Sequence, residues 1–197
     1  MPGDSSRRRG HELVGAIHAA ALAEVAEGGL GRLTMDGIAK RAETARTSLY
    51  RRWPGTTELL LDALAAAHPM EEPTPGAGDL RDDLVAALRL MVDWAVSPAG
   101  RAVQAIMSDP RRDPALVQGL YERVFAEHGG TFTRTVLLHY AGRGHFDQAL
   151  VTPVVADIGE AMVIKHLMDA GLPDDDALGA IVDQAILPAV GIGPPEP

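Results

Sequence analysis

Leu33-Thr34-Met35-Asp36-Gly37-Ile38-Ala39-Lys40-Arg41-Ala42-Glu43-Thr44-Ala45-Arg46-Thr47-Ser48-Leu49-Tyr50-Arg51-Arg52-Trp53-Pro54-Gly55 is the stretch that decides how this chain is read. A helix is predicted to begin at Thr34, whose hydroxyl can accept a free N–H of the first turn, with Asp36 adding negative charge at the positive end of the dipole. Leu33 and Ile38 stand where a hydrophobic staple would be. Met35, Ile38, Ala39 and Ala42 recur at helical spacing as an inner face. Glu43 to Ala45 interrupt the pattern. A short helix follows from Arg46 to about Arg52, ended by Trp53-Pro54-Gly55. Helix, three-residue turn and short second helix have the dimensions of a helix-turn-helix, whose second helix can enter a major groove. On that second helix Leu49 falls opposite Arg46, Thr47, Tyr50 and Arg51, and the segment holds three arginines, one tyrosine and no acid.

Working outward, Val14, Ile17, Ala21 and Val25 place a preceding helix over Glu12–Glu27, stopped by Gly28 and Gly29. A further helix starts near Thr56 and runs through Leu59, Leu60 and Leu64 to about Ala67. Residues 69–78, rich in Pro and Gly, punctuate the chain. Beyond them helices are predicted near 79–97, 98–108, 113–140 (with a kink at Gly129-Gly130), 152–170 and 174–190, and residues 191–197 are expected to fray. No strand-like alternation or internal repeat is present. The fold class is all-α: a three-helix head followed by a helical body, about nine helices in total.

An apolar fraction of 46% suffices for a packed core and excludes a disordered chain. Cysteine is absent, which excludes disulfides and thiolate-bound metals. No run of 18 apolar residues and no convincing signal peptide occur, so a soluble, cytoplasmic protein without membrane contact is expected. The net charge of −9 argues against nucleic acid until it is divided. Residues 1–56 hold nine Lys/Arg against six Asp/Glu, and residues 57–197 nine against twenty-one, so +3 and −12 make up the −9. A basic head on an acidic body is expected where one end alone meets phosphates.

The stretch from Leu33 to Ala42, with Ser48-Leu49-Tyr50-Arg51-Arg52-Trp53-Pro54 and Glu58-Leu59-Leu60, resembles the DNA-binding signature of the tetracycline-repressor (TetR) family, over residues 12–64. The resemblance implies a head over 1–56 and a ligand-binding and dimerisation body over 57–197. It implies that Thr34 touches a phosphate and that Arg46, Thr47 and Ser48 reach base edges, the guanidinium being suited to guanine. Tyr50 and Arg52 would bind phosphates, Tyr50 reading otherwise as a partly buried aromatic packed on the first helix, and Arg51 is either a further contact or simply solvated. Leu49, Ile38, Ala42 and Trp53 would be core. Arg7, Arg8 and Arg9 read as a basic arm that could enter a minor groove, or as a solvated terminus.

Three positions depart from the family pattern. Glu43 replaces a glycine at a turn expected to be left-handed, Ala45 replaces a serine cap for which Thr44 could substitute, and Thr56 replaces a lysine. At Thr56 the backbone N–H groups of the helix start can still hold an anion.

Nothing in the body assembles a catalytic set: no His-x₃-His pair, no nucleophile beside a base, and an Asp174-Asp175-Asp176 run best explained as a helix start. No enzyme activity, metal or cofactor is expected. Met91, Trp94, Met107, Phe125, His128, Phe132, Met162 and His166 read either as ordinary core or, as a set, as the lining of a cavity for an unknown, largely apolar effector. Val154, Val155, Ile158 and Met162 form one apolar face, and Leu178, Ile181, Val182, Ala185 and Ile186 another. In the family such faces meet their twins as a homodimer seam, which demands a palindromic operator. The expected function is a ligand-released repressor. Its rivals are a dimeric ligand-binding or interaction protein without sequence-specific DNA binding, and a helical enzyme with a fortuitous helix-turn-helix.

Overall fold

The computed structural model describes residues 4–68, 79–125 and 132–193, with side chains from residue 10 onward. Among the described residues all regular structure is helical, as the periodicity predicts. The helices are α1 (Asp4–Gly28), α2 (Met35–Arg41), α3 (Arg46–Tyr50), α4 (Thr56–Ala67), α5 (Leu80–Ala95), α6 (Pro98–Ser108), α7 (Pro114–Leu120), α8 (Phe132–Gly142), α9 (Pro153–Asp169), α10 (Asp175–Ile181) and α11 (Leu187–Ala189). Their number exceeds the expected nine because the helix predicted over 174–190 is divided by a π-helical turn and the residues described within 113–140 fall in two helices, α7 and α8. A π-helical turn, Tyr121–Phe125, continues α7, and another, Val182–Ile186, joins α10 to α11. The Gly129-Gly130 kink and His128 lie outside the described residues, as does the punctuating segment 69–78. Helix α1 starts well before Glu12, so Arg7–Arg9 belong to its first turns and not to an arm ahead of it.

Local chemistry sets the boundaries. Ser97-Pro98, Asp113-Pro114 and Thr152-Pro153 each pair a capping side chain with a proline at the first helical position. The cap satisfies an orphan N–H, and the proline lacks one that would go unmet. Asp174 caps α10 by accepting from Ala177 N at 2.9 Å, which accounts for the triple aspartate.

The chain forms two compact units that do not follow its order. One combines Met1–His68 with Val96–Glu127; the other combines Pro69–Ala95 with His128–Pro197. In the first, α1 packs against α2, α4 and α6, and α4 against α6 and α7. In the second, α5, α8, α9, α10 and the π-helical turn after it share a core of Leu84, Leu88, Met91, Phe132, Leu137, Tyr140, Val163, Leu178 and Ile186. Gly159 lets α9 approach closely: a Cβ there would meet Thr133 at 2.7 Å and Leu88 at 2.8 Å. The Tyr140 hydroxyl donates to Asp83 Oδ2 at 2.7 Å inside this core. Burial first, then the carboxylate, push the phenol up to about 12, so it stays a donor at every working pH.

Leu178, Ile181, Val182 and Ile186, read from sequence as a face for a partner, are 6% exposed or less and belong to the core of their own unit. Helical periodicity identifies an apolar face but not what covers it.

Glu160 on α9 is half-buried beside Gly159 and Val163. Desolvation, then Asp157, raise its pKa from 4.5 to about 7. The folded state therefore binds this proton more tightly than the unfolded chain. Its contribution to stability is complete below pH 4.5 and is lost as pH rises towards 7. Glu160→Gln should flatten the melting temperature across that window and raise it at pH 8 by roughly 2–4 °C, the shift about 1 kcal/mol produces in a chain of this size. Thermal scans at pH 5 and 8 check this; parallel profiles for the two proteins would refute it.

Candidate nucleic-acid interface

The interface begins at Thr34, whose extended backbone and side chain cap α2: Oγ1 accepts from Gly37 N at 3.0 Å. The hydroxyl proton is not used in that bond, so the exposed Thr34 can still donate. Helix α2 ends in two overlapping backbone bonds, Thr44 N to Ala39 O (2.9 Å) and Glu43 N to Lys40 O (3.3 Å). This pattern requires a left-handed residue at Glu43, whose φ is +49°. The strain expected at this glycine position is therefore real. Glu43→Gly should stabilise the protein by roughly 1 kcal/mol, raising the melting point by about 2–4 °C. An unchanged or lower melting point in a calorimetric scan would show that the turn carries no strain.

Ala45 is the N-cap of α3 and no side chain caps it; Thr44 stands one residue before the cap and its hydroxyl does not take that place. Within α3 only Leu49 is buried, at 0% exposure, in a cluster with Ile17, Met35, Ile38, Trp53 and Leu59. Arg46, Thr47, Tyr50, Arg51 and Arg52 are exposed, and Ser48 and Thr56 are partly so. One apolar anchor thus turns the whole polar and cationic face outward, as the helical spacing predicts.

Arg46 is held on this surface. Its Nε lies 2.8 Å from Asp36 Oδ1 and one terminal nitrogen 3.1 Å from Oδ2. Its guanidinium also sits 5.6 Å from the Tyr50 ring centroid, with the other terminal nitrogen 3.5 Å from the Tyr50 hydroxyl. The Tyr50 hydroxyl, then Asp36, keep the guanidinium above its ordinary pKa, so it is cationic at any working pH. Arg41 is engaged differently, bridging Glu24 (3.1 Å) and Glu27 (2.6 Å) of α1, which fastens α2 to α1.

Sequence reading missed the residue that seats the end of α3. Asp62 Oδ2 on α4 accepts from Trp53 Nε1 at 2.9 Å and lies 3.1 Å from His18 Nε2 on α1. The His18 and Trp53 rings stand 5.6 Å apart. No local motif signals a pairing between residues 9 and 44 positions apart. Asp62→Ala should cost roughly 1–2 kcal/mol, because the indole N–H of the buried Trp53 loses its acceptor. A denaturant melt with a midpoint equal to that of the parent would show that water replaces the carboxylate without loss.

The effector candidates fall into separate groups. Met91 and Phe132 are buried in the second unit, with Trp94 packed against them and its ring 5.9 Å from that of Phe132. Met107 and Phe125 belong to the first unit, where Phe125 makes an edge contact with His68 at 5.6 Å. On α9, Met162 is 44% exposed and His166 half-buried. No group of three or more metal-binding side chains occurs among the described residues, and no helix there is long and apolar enough to cross a membrane.

Comparison with known proteins agrees with this geometry. Residues 17–63 match the family model described as bacterial regulatory proteins, tetR family, and residues 74–185 match the tetracyclin repressor-like C-terminal domain. A DNA-binding transcriptional repressor TetR of Mycobacteroides abscessus is 28% identical over 91% of this chain and 94% of its own length. An uncharacterised HTH-type transcriptional regulator of Mycobacterium tuberculosis is 28% identical over 83% of this chain and 81% of its own. The crystal structure of a candidate transcriptional regulator from Streptomyces coelicolor A3(2) shares the fold, with a TM-score of 0.60 at 20% identity, covering 89% of this chain and 96% of that one.

Proposed function

The chain belongs to the tetracycline-repressor family of DNA-binding, non-enzymatic transcription regulators, and on that premise we propose that it is a repressor that binds a palindromic operator as a homodimer and is released by a small, largely apolar ligand. The observation that carries the proposal is the outward face of α3, where Leu49 alone is buried and hydroxyl and cationic side chains are displayed. Arg46, Thr47 and Ser48 read base edges. Thr34, Tyr50, Arg51, Arg52 and the helix start at Thr56 hold phosphates and set the register. The repressor sense is supported by the name of the Mycobacteroides abscessus relative.

A second copy supplies the symmetry. Val154, Ala161 and Met168 recur every seven residues on one exposed face of α9, continued by Leu172; Val154 and Met168 are each 75% exposed and Leu172 62%. An apolar stripe of this kind on a long helix fits a self-complementary twofold contact. DNA contact is assigned to residues 1–56, effector binding and dimerisation to 57–197. Met91, Trp94 and Phe132, grouped within the second unit, are the proposed effector contacts. The site of action is the cytoplasm, where the chromosome lies. Ligand binding would favour a conformer whose recognition helices no longer match two half-sites about 34–36 Å apart.

Selection of bound duplexes from a random pool tests the proposal. A recovered palindrome is expected. A dimer that recovers no preferred sequence would favour the ligand-binding or interaction module without specific DNA recognition.

A further inference from the structure

We propose that Asp36 is a specificity-determining positioning residue: it fixes the guanidinium of Arg46 for base readout and withholds it from the DNA backbone. The inference rests on the reading of Arg46 as a base contact and adds a second residue to it.

Two of the five N–H donors of Arg46 go to the Asp36 carboxylate, at 2.8 and 3.1 Å, and the guanidinium lies over the Tyr50 ring. An unrestrained arginine on a phosphate-facing surface samples many rotamers and neutralises whichever phosphate it reaches, which strengthens binding to every sequence alike. Contacts to Asp36 and Tyr50 narrow the arrangements open to Arg46 and leave donors for a planar pair of acceptors such as guanine O6 and N7. Both partners of the pair are more than half exposed, so it adds little to the stability of the head. Its consequence is for recognition. A carboxylate beside a phosphate-binding surface weakens attraction to any duplex, and only a correctly placed base offsets that loss. The discrimination therefore resides in the pair, not in Arg46 alone. Asp36 could not be assigned this role from sequence, where it reads as a helix-dipole residue.

The test uses the full-length protein and two probes: the duplex recovered from the random pool, and a mixed-sequence duplex of equal length. Asp36→Asn keeps the shape and leaves the Thr34 cap in place. It should bind the mixed duplex roughly 3–10-fold more tightly and lower the ratio of selected to mixed affinity by roughly fivefold or more. In an Arg46→Ala background the same change should raise both affinities equally and leave the ratio where Arg46→Ala alone puts it. An Asp36→Asn protein that gains equally on both duplexes with Arg46 present would overturn the proposal, leaving Asp36 as a general repulsive charge. A wild-type protein that selects no sequence would instead remove the base-contact reading on which the inference stands.

Discussion

Placing glutamate at both Val154 and Met168 is expected to split the proposed homodimer into monomers and to lower its affinity for a palindromic duplex by roughly 100-fold or more, since one recognition helix then works without its twin. Both side chains are 75% exposed, so neither is needed by the core of its own unit. Surface changes of that kind shift intrinsic stability by only about 0.5 kcal/mol. Across a twofold seam the outcome differs: four carboxylates, two from each copy, would have to be buried against apolar partners. Charged groups do not accept that without a counter-ion, so the copies separate. Sedimentation or light scattering gives the mass, circular dichroism confirms that the helices persist, and duplex retardation reads the affinity. A variant that stays dimeric and binds as the parent does would move the seam away from α9.

The second large effect separates readout from anchoring on α3. Arg46→Ala should cost about 1–3 kcal/mol at one base pair of each half-site and leave preference elsewhere unchanged. Tyr50→Ala should weaken binding to every sequence, and Arg52→Ala should in addition reduce the salt slope by about one. Because the Arg46 guanidinium lies over the Tyr50 ring, Tyr50→Phe is the necessary control. It removes the hydroxyl proposed to bind phosphate while keeping the surface on which Arg46 rests. Equal losses on all duplexes for Arg46→Ala and Tyr50→Phe would refute the division of labour between them.

How much of the interface could be read in advance follows from the range of each interaction. The cap at Thr34, the left-handed turn at Glu43 and the single anchor Leu49 are consequences of neighbours within about one helical turn, and the structure agrees with all three. Thr44 was open to a local reading that the structure does not adopt: α3 starts with Ala45 at its N-cap, and Thr44 is the residue whose N–H closes α2. The Asp62–Trp53–His18 contact and the Arg46–Asp36 pair were invisible, since each joins side chains on different elements whose relative placement no spacing rule specifies.

The sequence by itself determined the helical class, the helix-turn-helix and its outward cationic face, because periodicity, capping and turn chemistry are local and act before any tertiary contact forms. Only the tertiary structure decided which apolar faces cover one another. It grouped Val96–Glu127 with the N-terminal helices, placed the α10 face in the core of its own unit, and left the α9 stripe exposed. The physical reason is that hydrophobic burial is non-directional: an apolar stripe specifies that it must be covered, and the shape of the packed chain chooses by what.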